Sequence, residues 1–426
     1  MKLLIKNGRV IDPLNNRNGV LDILVEDFHI REVSQSIKAG ADIIIDAKDK
    51  LVLPGLVDMH VHLREPGRED KETVASGTMA ALKGGVTSLL AMPNTCPAMD
   101  SCENIKLLKN IIRNSACANV FIAAAITKGR LGKQLSGIAM LKKCGAIAIS
   151  DDGASVDDQK IFLEALQKAK AAGIAVISHC EDKTLANNGV VNLGFLSTKL
   201  GLRGISKESE YKRVERDINL AEKSKTRVHI AHVSCKESVE IIARAKKRRV
   251  MVTAETAPHY FSLTEEAVCG YDTNMKVNPP LRTKADLDAL KHGLENGTID
   301  AIASDHAPHT ENEKDIEFER AEFGAIGLET GLAVSITELV DSGVLDWMDL
   351  VRKLSLNPSR ILGIDKGSLS VGKAADIIVV DPAKEWVVRK ENFISKSKNS
   401  AFIGRRLKGV VEWTICKGNI VYKFGA

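Results

Sequence analysis

From Gly55 to about Ile364 the chain alternates short, uninterrupted apolar runs with longer stretches in which apolar residues recur at helical spacing. Eight runs stand out: GLVDMH, VTSLLAMP, NVFIAAAIT, AIAISDD, IAVISHCE, RVHIAHVS, VMVTAETAPH and AIASDHAPH. Runs this short and continuous predict strands of a parallel sheet covered on both faces, since such strands need no polar side. The Ala-, Lys- and Glu-rich stretches between them predict crossover helices. In DQKIFLEALQKAKAAG, Asp158 to Gly173, the expected apolar face is Ile161, Leu163, Ala165 and Leu166, and Gly173 is the expected stop. Eight strand-helix units in about 310 residues predict a (β/α)8 barrel over residues 55–365. An open doubly wound sheet is the rival, but no GxGxxG turn supports it.

The flanks carry strand-turn-strand patterns instead. LLIKNGRVID, GVLDILVEDFHIREV and ADIIIDAKDKLVLPG precede the barrel; KAADIIVVDP, EWVV and VEWTICKGNIVYK follow it. Short strands at both ends can close on one another, so residues 1–54 and 366–426 are expected to build one small discontinuous β-sandwich domain.

Composition narrows the class without naming a function. An apolar fraction of 44% and a charged fraction of 27% are those of a globular protein. No apolar run approaches the roughly 18 residues of a membrane helix. MKLLIKNGRVID reads as a strand and hairpin rather than a signal peptide, so a cytoplasmic location without membrane contact is expected. The net charge of +5 is dispersed; its densest run, AKKRR (Ala245 to Arg249), is expected to be a solvated helix end, because no aromatic or nucleic-acid-binding motif accompanies it. The 8 cysteines lie far apart with no CxxC pair, which predicts reduced, mostly buried thiols; Cys180 is expected to pack.

The chemistry gathers where barrel enzymes place their sites, at the C-terminal ends of the strands. Of 10 histidines, His60 and His62 end the first run, His179 the fifth, His232 the sixth, and His306 and His309 follow Asp305 at the eighth. Two residues apart on an extended segment, His60 and His62 point to one side, as two ligands of one metal would. His179, His232 and Asp305 arrive at other strand ends, and imidazole with carboxylate is a donor set suited to zinc and similar divalent metals. Four histidines and an aspartate exceed what one tetrahedral zinc needs with room for water, so two metals bridged by a carboxylate are expected. The bridge falls to ISDDG, where Asp151 and Asp152 face opposite ways, one towards the metals and the other to a helix cap or the loop backbone. Such a centre acidifies a shared water and polarises a carbonyl. Asp305 would bind metal and carry the proton between attacking hydroxide and leaving nitrogen, which is amide hydrolysis or its reverse. Arg64 is placed to offer a planar fork to a substrate carboxylate. His229 is expected to pack, His259 to stay outside the ligand set, and His29 and His292 to lie on the surface.

DMHVHLREPG, ASDHAPHTENEK, AMPNT, GLET and GKAADIIVVDP together resemble the dihydroorotases of the long bacterial type, within the amidohydrolase superfamily, and the resemblance spans essentially the whole chain. It implies a TIM-like metal-dependent hydrolase barrel with two zinc ions per subunit: His60 and His62 on one, His179 and His232 on the other, Asp152 as bridge, and Asp305 as ligand and acid/base. Substrate contacts implied are His62, Arg64, Asn94, Asn278, His309, Phe323 and Gly324. The implied reaction closes N-carbamoyl-L-aspartate reversibly to L-dihydroorotate with loss of water, the third step of de novo pyrimidine synthesis. A homodimer, and in some relatives assembly with aspartate transcarbamoylase, is also implied. Two departures stand out. AIAISDDG lacks the lysine with which many relatives bridge their metals. Glu322 stands where relatives often have proline, which predicts a looser loop from about Thr310 to Gly324. The alternatives are another cyclic amidase (hydantoinase, dihydropyrimidinase or allantoinase) and a non-catalytic scaffold for the transcarbamoylase. Arg64, Asn94 and His309 argue against the first, and the complete ligand set argues against the second.

Overall fold

In the computed structural model, which describes residues 2–425, all eight apolar runs become strands of one parallel sheet. The barrel strands, first to eighth, are Leu56–Val61, Val86–Ala91, Asn119–Ala124, Ala146–Ile149, Ala175–Ser178, Val228–Ile230, Val252–Thr256 and Ala301–Ile302. Each pairs with the next in chain order. The sheet closes where Val61 bridges His306 and the His62 N–H donates to the His306 carbonyl at 2.9 Å. Asp58 reinforces that seam, its buried carboxylate accepting the Ser304 N–H. Val57, Met59, Leu90, Met92, Ala148 and Ile177 pack together in one cluster, which Leu362 joins. A second, larger cluster joins the other strand side chains to the surrounding helices.

The helix expected after Asp158 spans Gln159–Ala172, with Asp158 capping its first N–H groups and Gly173 turning it off at φ 63°. Its buried stripe is Phe162, Ala165, Leu166 and Ala169, at i, i+3, i+4 and i+7. Ile161 and Leu163, expected inside, are only partly buried, because they flank this stripe.

The strands of the two chain ends share one mixed sheet. Lys2–Asp12 and Arg17–Glu26 form the expected antiparallel hairpin. Leu51–Pro54 runs parallel to the first of these on one side and antiparallel to Ile377–Val387 on the other, so it stitches the ends together. Inward residues from both ends, among them Leu3, Ile23, Val52, Ile377 and Ile415, share a core.

The cysteines depart from expectation. Cys102 and Cys144 form a disulfide, their Cα atoms 5.7 Å apart. Cys102 opens the helix Cys102–Ser115 and Cys144 closes the helix Ile138–Cys144; these helices pack side by side, which a sequence separation of 42 residues concealed. Of the remainder, Cys180, Cys235 and Cys416 are buried, whereas Cys96, Cys117 and Cys269 are exposed. The AKKRR run does lie at a helix end, with Lys247, Arg248 and Arg249 exposed.

Candidate metal centre

The strand ends deliver His60, His62, Asp152, His179, His232 and Asp305 to one point at the barrel mouth. Asp152 lies at its middle. Its Oδ1 is 3.2 Å from His60 Nε2, 3.5 Å from His179 Nδ1 and 3.6 Å from His232 Nε2; its Oδ2 is 3.5 Å from His62 Nε2. Asp305 Oδ1 stands 3.4 Å from His62 Nε2 and 3.7 Å from His60 Nε2. Ligand atoms of His60, Asp152 and His232, and again of His60, His62 and Asp305, fall within 4.8 Å of one another. Arg64, His232 and Asp305 all hold positive φ, at 60°, 35° and 48°. Side chains rarely adopt such backbone, and its clustering here marks a place where the surrounding fold dictates direction.

The neighbouring aspartate is diverted. Asp151 accepts from the backbone N–H and the hydroxyl of Thr127, binding a loop as one of the pair was expected to do. Other groups orient the histidines from behind. His60 Nδ1 is 2.7 Å from Glu255 Oε1, and His62 Nδ1 is 2.8 Å from Asn94 Oδ1. Glu181 Oε2 lies 3.6 Å from His179 Nε2, and Glu181 Oε1 accepts from the Asn278 amide at 3.0 Å.

Burial opposes charge on these groups, and at Asp152, Asp305, His60 and His179 their mutual attraction overrides it. Burial works against ionised Asp152, but His60, His179 and His232 hold its carboxyl well below the usual range. Asp305 is held low against burial in the same way, chiefly by His62 and His60. His60 is raised despite burial, by Asp152 and Glu255, and His179 is raised to about 9 by Asp152 and Glu181. His62 is lowered, by burial and by Arg64.

The donors suit a divalent metal. His60 Nε2 and Asp152 Oδ1 are buried without any hydrogen-bond partner although only 3.2 Å apart. His179 Nδ1 and His232 Nε2 face each other at 2.7 Å, an arrangement that needs a proton or a cation between two lone pairs. Mixed imidazole and carboxylate donors are those zinc accepts.

The residues expected to touch substrate surround the same mouth, several of them already engaged. Arg64 donates through Nε to the Pro308 carbonyl at 3.1 Å, and burial lowers its guanidinium to about 10. Arg64 Nη2 and Lys71 Nζ approach His309 from opposite sides, at 3.2 Å from Nε2 and 3.1 Å from Nδ1. A neutral imidazole has one acceptor nitrogen, so His309 accepts from only one of them. Asn94 uses its oxygen on His62, and Asn278 one amide hydrogen on Glu181. Gly324 donates its N–H to the Lys276 carbonyl, and its own carbonyl accepts from Lys314 and Asn399. A Cβ at Gly324, where φ is 135°, would come within 2.7 Å of the Ala307 Cβ and 3.2 Å of His309 Nε2. Phe323 faces Lys276, whose ammonium is 4.6 Å from the ring centroid.

The remaining histidines separate cleanly. His229 is buried, with Nδ1 at 2.8 Å from Thr253 and Nε2 at 3.3 Å from Glu255, so it supports the carboxylate behind His60 rather than the candidate ligands directly. His259 stays outside both candidate clusters, edge-on to the Tyr260 ring and lowered to about 4 by burial. His306 is buried against Glu72, and His29 and His292 are exposed.

A protein-family model described as dihydro-orotase-like matches residues 49–238. A dihydroorotase of Elusimicrobium minutum is 53% identical over 425 residues, covering 100% of this chain and 98% of its own. The chain belongs to the dihydroorotase family. A dihydroorotase of Acetivibrio thermocellus is 50% identical over 421 residues, with 99% of each chain covered. Among solved structures, the L-hydantoinase (dihydropyrimidinase) of Arthrobacter aurescens superposes with a TM-score of 0.91 over 100% of this chain and 96% of its own, at 26% identity. The dihydropyrimidinase of Brevibacillus agri superposes at 0.87 over 99% and 95%, at 23% identity, a likeness of fold alone.

Within this dihydroorotase framework the loop around Glu322 is not the loose segment its missing proline predicted. The Glu322 N–H, which a proline would lack, donates to the Glu313 carbonyl at 3.2 Å. Lys314 Nζ donates to the carbonyls of Glu322 and Gly324, and Lys276 Nζ to those of Phe318 and Glu319. Two buried lysines therefore tie the loop down.

Proposed function

We propose that this chain is a zinc-dependent dihydroorotase that interconverts N-carbamoyl-L-aspartate and L-dihydroorotate in pyrimidine synthesis. The observation that carries the reading is one buried carboxylate, Asp152, ringed by four imidazoles, with Asp305 and the Arg64 guanidinium at the same mouth. His60, His62, Asp152, His179, His232 and Asp305 would hold two zinc ions. When bound, the metal supplies Lewis-acid polarisation of the ring carbonyl and acidification of water.

The rest is work for the chain's own groups. Arg64 binds the substrate carboxylate through a bidentate fork, and Asn94, Asn278 and His309 fix its orientation. Asn94 can do this because its oxygen is committed to His62 and its amide hydrogens remain. Asp305, kept ionised, accepts the proton of the attacking water in ring opening and delivers it to the amide nitrogen as the C–N bond breaks. In ring closure the same carboxylate takes the proton of the carbamoyl nitrogen and returns it to the departing water. The enzyme works on this small molecule in the cytoplasm.

The test is turnover of L-dihydroorotate and N-carbamoyl-L-aspartate beside hydantoin, dihydrouracil and allantoin, before and after chelation and zinc restoration. Activity confined to the first pair and restored by zinc is expected. Turnover of hydantoin or dihydrouracil at equal rate would overturn the substrate, and full activity after exhaustive chelation would overturn the metal. Asp305→Asn should suppress both directions while metal remains bound; retained turnover would remove the proton-carrying role.

A further inference from the structure

The barrel has a second opening, at the end away from the metal centre. There, between the N-terminal ends of the fourth to seventh strands, lies a cavity of about 680 Å³. This is within the size range of small-molecule sites, roughly 300 to 1,000 Å³. Ile147, Ile174, Val176 and Ile361 line it with apolar surface, and Met251, 44% exposed, adds an uncovered thioether.

Its charge is one-sided. Lys170, Lys225, Arg227 and Arg360 all line the cavity, all are exposed, and no acidic residue lines it with them. Among the described residues, Lys170 has only the Ser224 carbonyl within reach, at 3.4 Å. Cations gathered without counter-charge repel one another and focus a positive potential into the concavity, which a polyanion relieves more than any single charge would. The apolar lining gives nothing to a bare inorganic anion but accepts a flat ring. His229 and Thr253 also line the cavity and are hydrogen-bonded to each other, so they close it rather than compete for the ligand.

We propose that this cavity binds a nucleoside polyphosphate, its base against Ile147, Val176 and Met251 and its phosphates met by Lys170, Lys225, Arg227 and Arg360. The reading is independent of the reaction at the metal centre, because none of these residues belongs to it. Nothing in the lining selects one base, so both purine and pyrimidine nucleotides fit.

The test is equilibrium binding of ATP and UTP, each with excess Mg²⁺, to the full-length zinc-loaded protein, compared with tripolyphosphate and adenosine. Saturable one-to-one binding of both nucleotides is expected, with the tripolyphosphate and the nucleoside each at least about tenfold weaker. The paired substitution Arg227→Glu with Arg360→Glu should weaken nucleotide binding by about tenfold or more, the scale of lost charge-assisted contacts. Because both positions are exposed, circular dichroism and dihydroorotate turnover should match the parent. Nucleotide binding untouched by the paired variant would place the ligand elsewhere and overturn the proposal. Tripolyphosphate binding as tightly as ATP would overturn the assignment of the apolar walls. Absence of saturable binding would overturn it outright, and a dimer that the paired variant splits would overturn it by assigning the face to a second copy of the chain.

Discussion

Glu255→Gln asks whether the metal centre depends on the carboxylate behind it. Glu255 is fully buried, 2.7 Å from His60 Nδ1 and 3.3 Å from His229 Nε2. Despite burial, those two imidazoles hold its carboxyl down to about 2, so it is an anion at any working pH. Glutamine keeps the shape and removes the charge. A hydrogen bond to an ionised partner contributes about 1.5 to 3 kcal/mol and a neutral one about 0.5 to 1.5, so the exchange should cost about 1 to 1.5 kcal/mol. That cost falls on His60, whose other nitrogen faces Asp152 and Asp305. Removing the partner of a metal-ligating histidine typically lowers affinity 10- to 100-fold, and tenfold corresponds to about 1.4 kcal/mol. The two routes agree on a loss of about tenfold in zinc affinity. Competition against a chromophoric chelator measures it, with circular dichroism to establish folding and Glu255→Asp as the charge-preserving control. If the glutamine variant bound zinc as tightly as the parent, the supporting role of this carboxylate would be refuted.

Arg64→Met should weaken dihydroorotate binding by about 2 to 5 kcal/mol, the cost of an unpaired substrate charge, and leave zinc affinity nearly unchanged; calorimetry with both ligands separates the two. Glu322→Pro removes the N–H that donates to Glu313, so hydrogen exchange should report a loop about 1 kcal/mol easier to open; unchanged protection at the neighbouring amides would deny that bond any role. Burial, aided by Lys276, lowers Lys314 to about 7 from an ordinary 10.5, so the closed loop carries fewer protons on it than the opened one across that interval. By linkage, closure is penalised in full below pH 7 and favoured progressively as pH rises from about 7 to 10.5. Protection of the Gly324 amide, corrected for intrinsic exchange, should therefore rise over that window, and Lys314→Met should reduce the trend to the part contributed by Lys276, which burial lowers to about 8.

The barrel was legible because parallel strands buried on both faces leave uninterrupted apolar runs, and all eight were found in order. The candidate ligands were legible because His60, His62, His179, His232 and Asp305 sit within three residues of strand ends. The residues that support them were not identified, although a signal existed for two. Asp58 and Glu255 are acids inside otherwise apolar runs, and a charge so placed has to be paired. Lys276 and Lys314 carried no such signal, since a lysine in a loop ordinarily reads as solvated. The Cys102–Cys144 pairing depends on which helices become neighbours outside the barrel, information no local spacing contains.

The strand Leu51–Pro54 also sets a timetable. One of its edges is satisfied at once by Lys2–Asp12, but the other waits for Ile377–Val387, roughly 320 residues downstream. At about 5 to 20 residues per second of synthesis, that edge stays open for on the order of half a minute on the ribosome. All eight barrel strands emerge within that interval, so the barrel can assemble beside an unfinished sheet. An open edge is an invitation to pair with other nascent chains. A chain cut short before Ile377 would keep every candidate metal ligand and never lose that edge, and its failure would be one of aggregation rather than of chemistry.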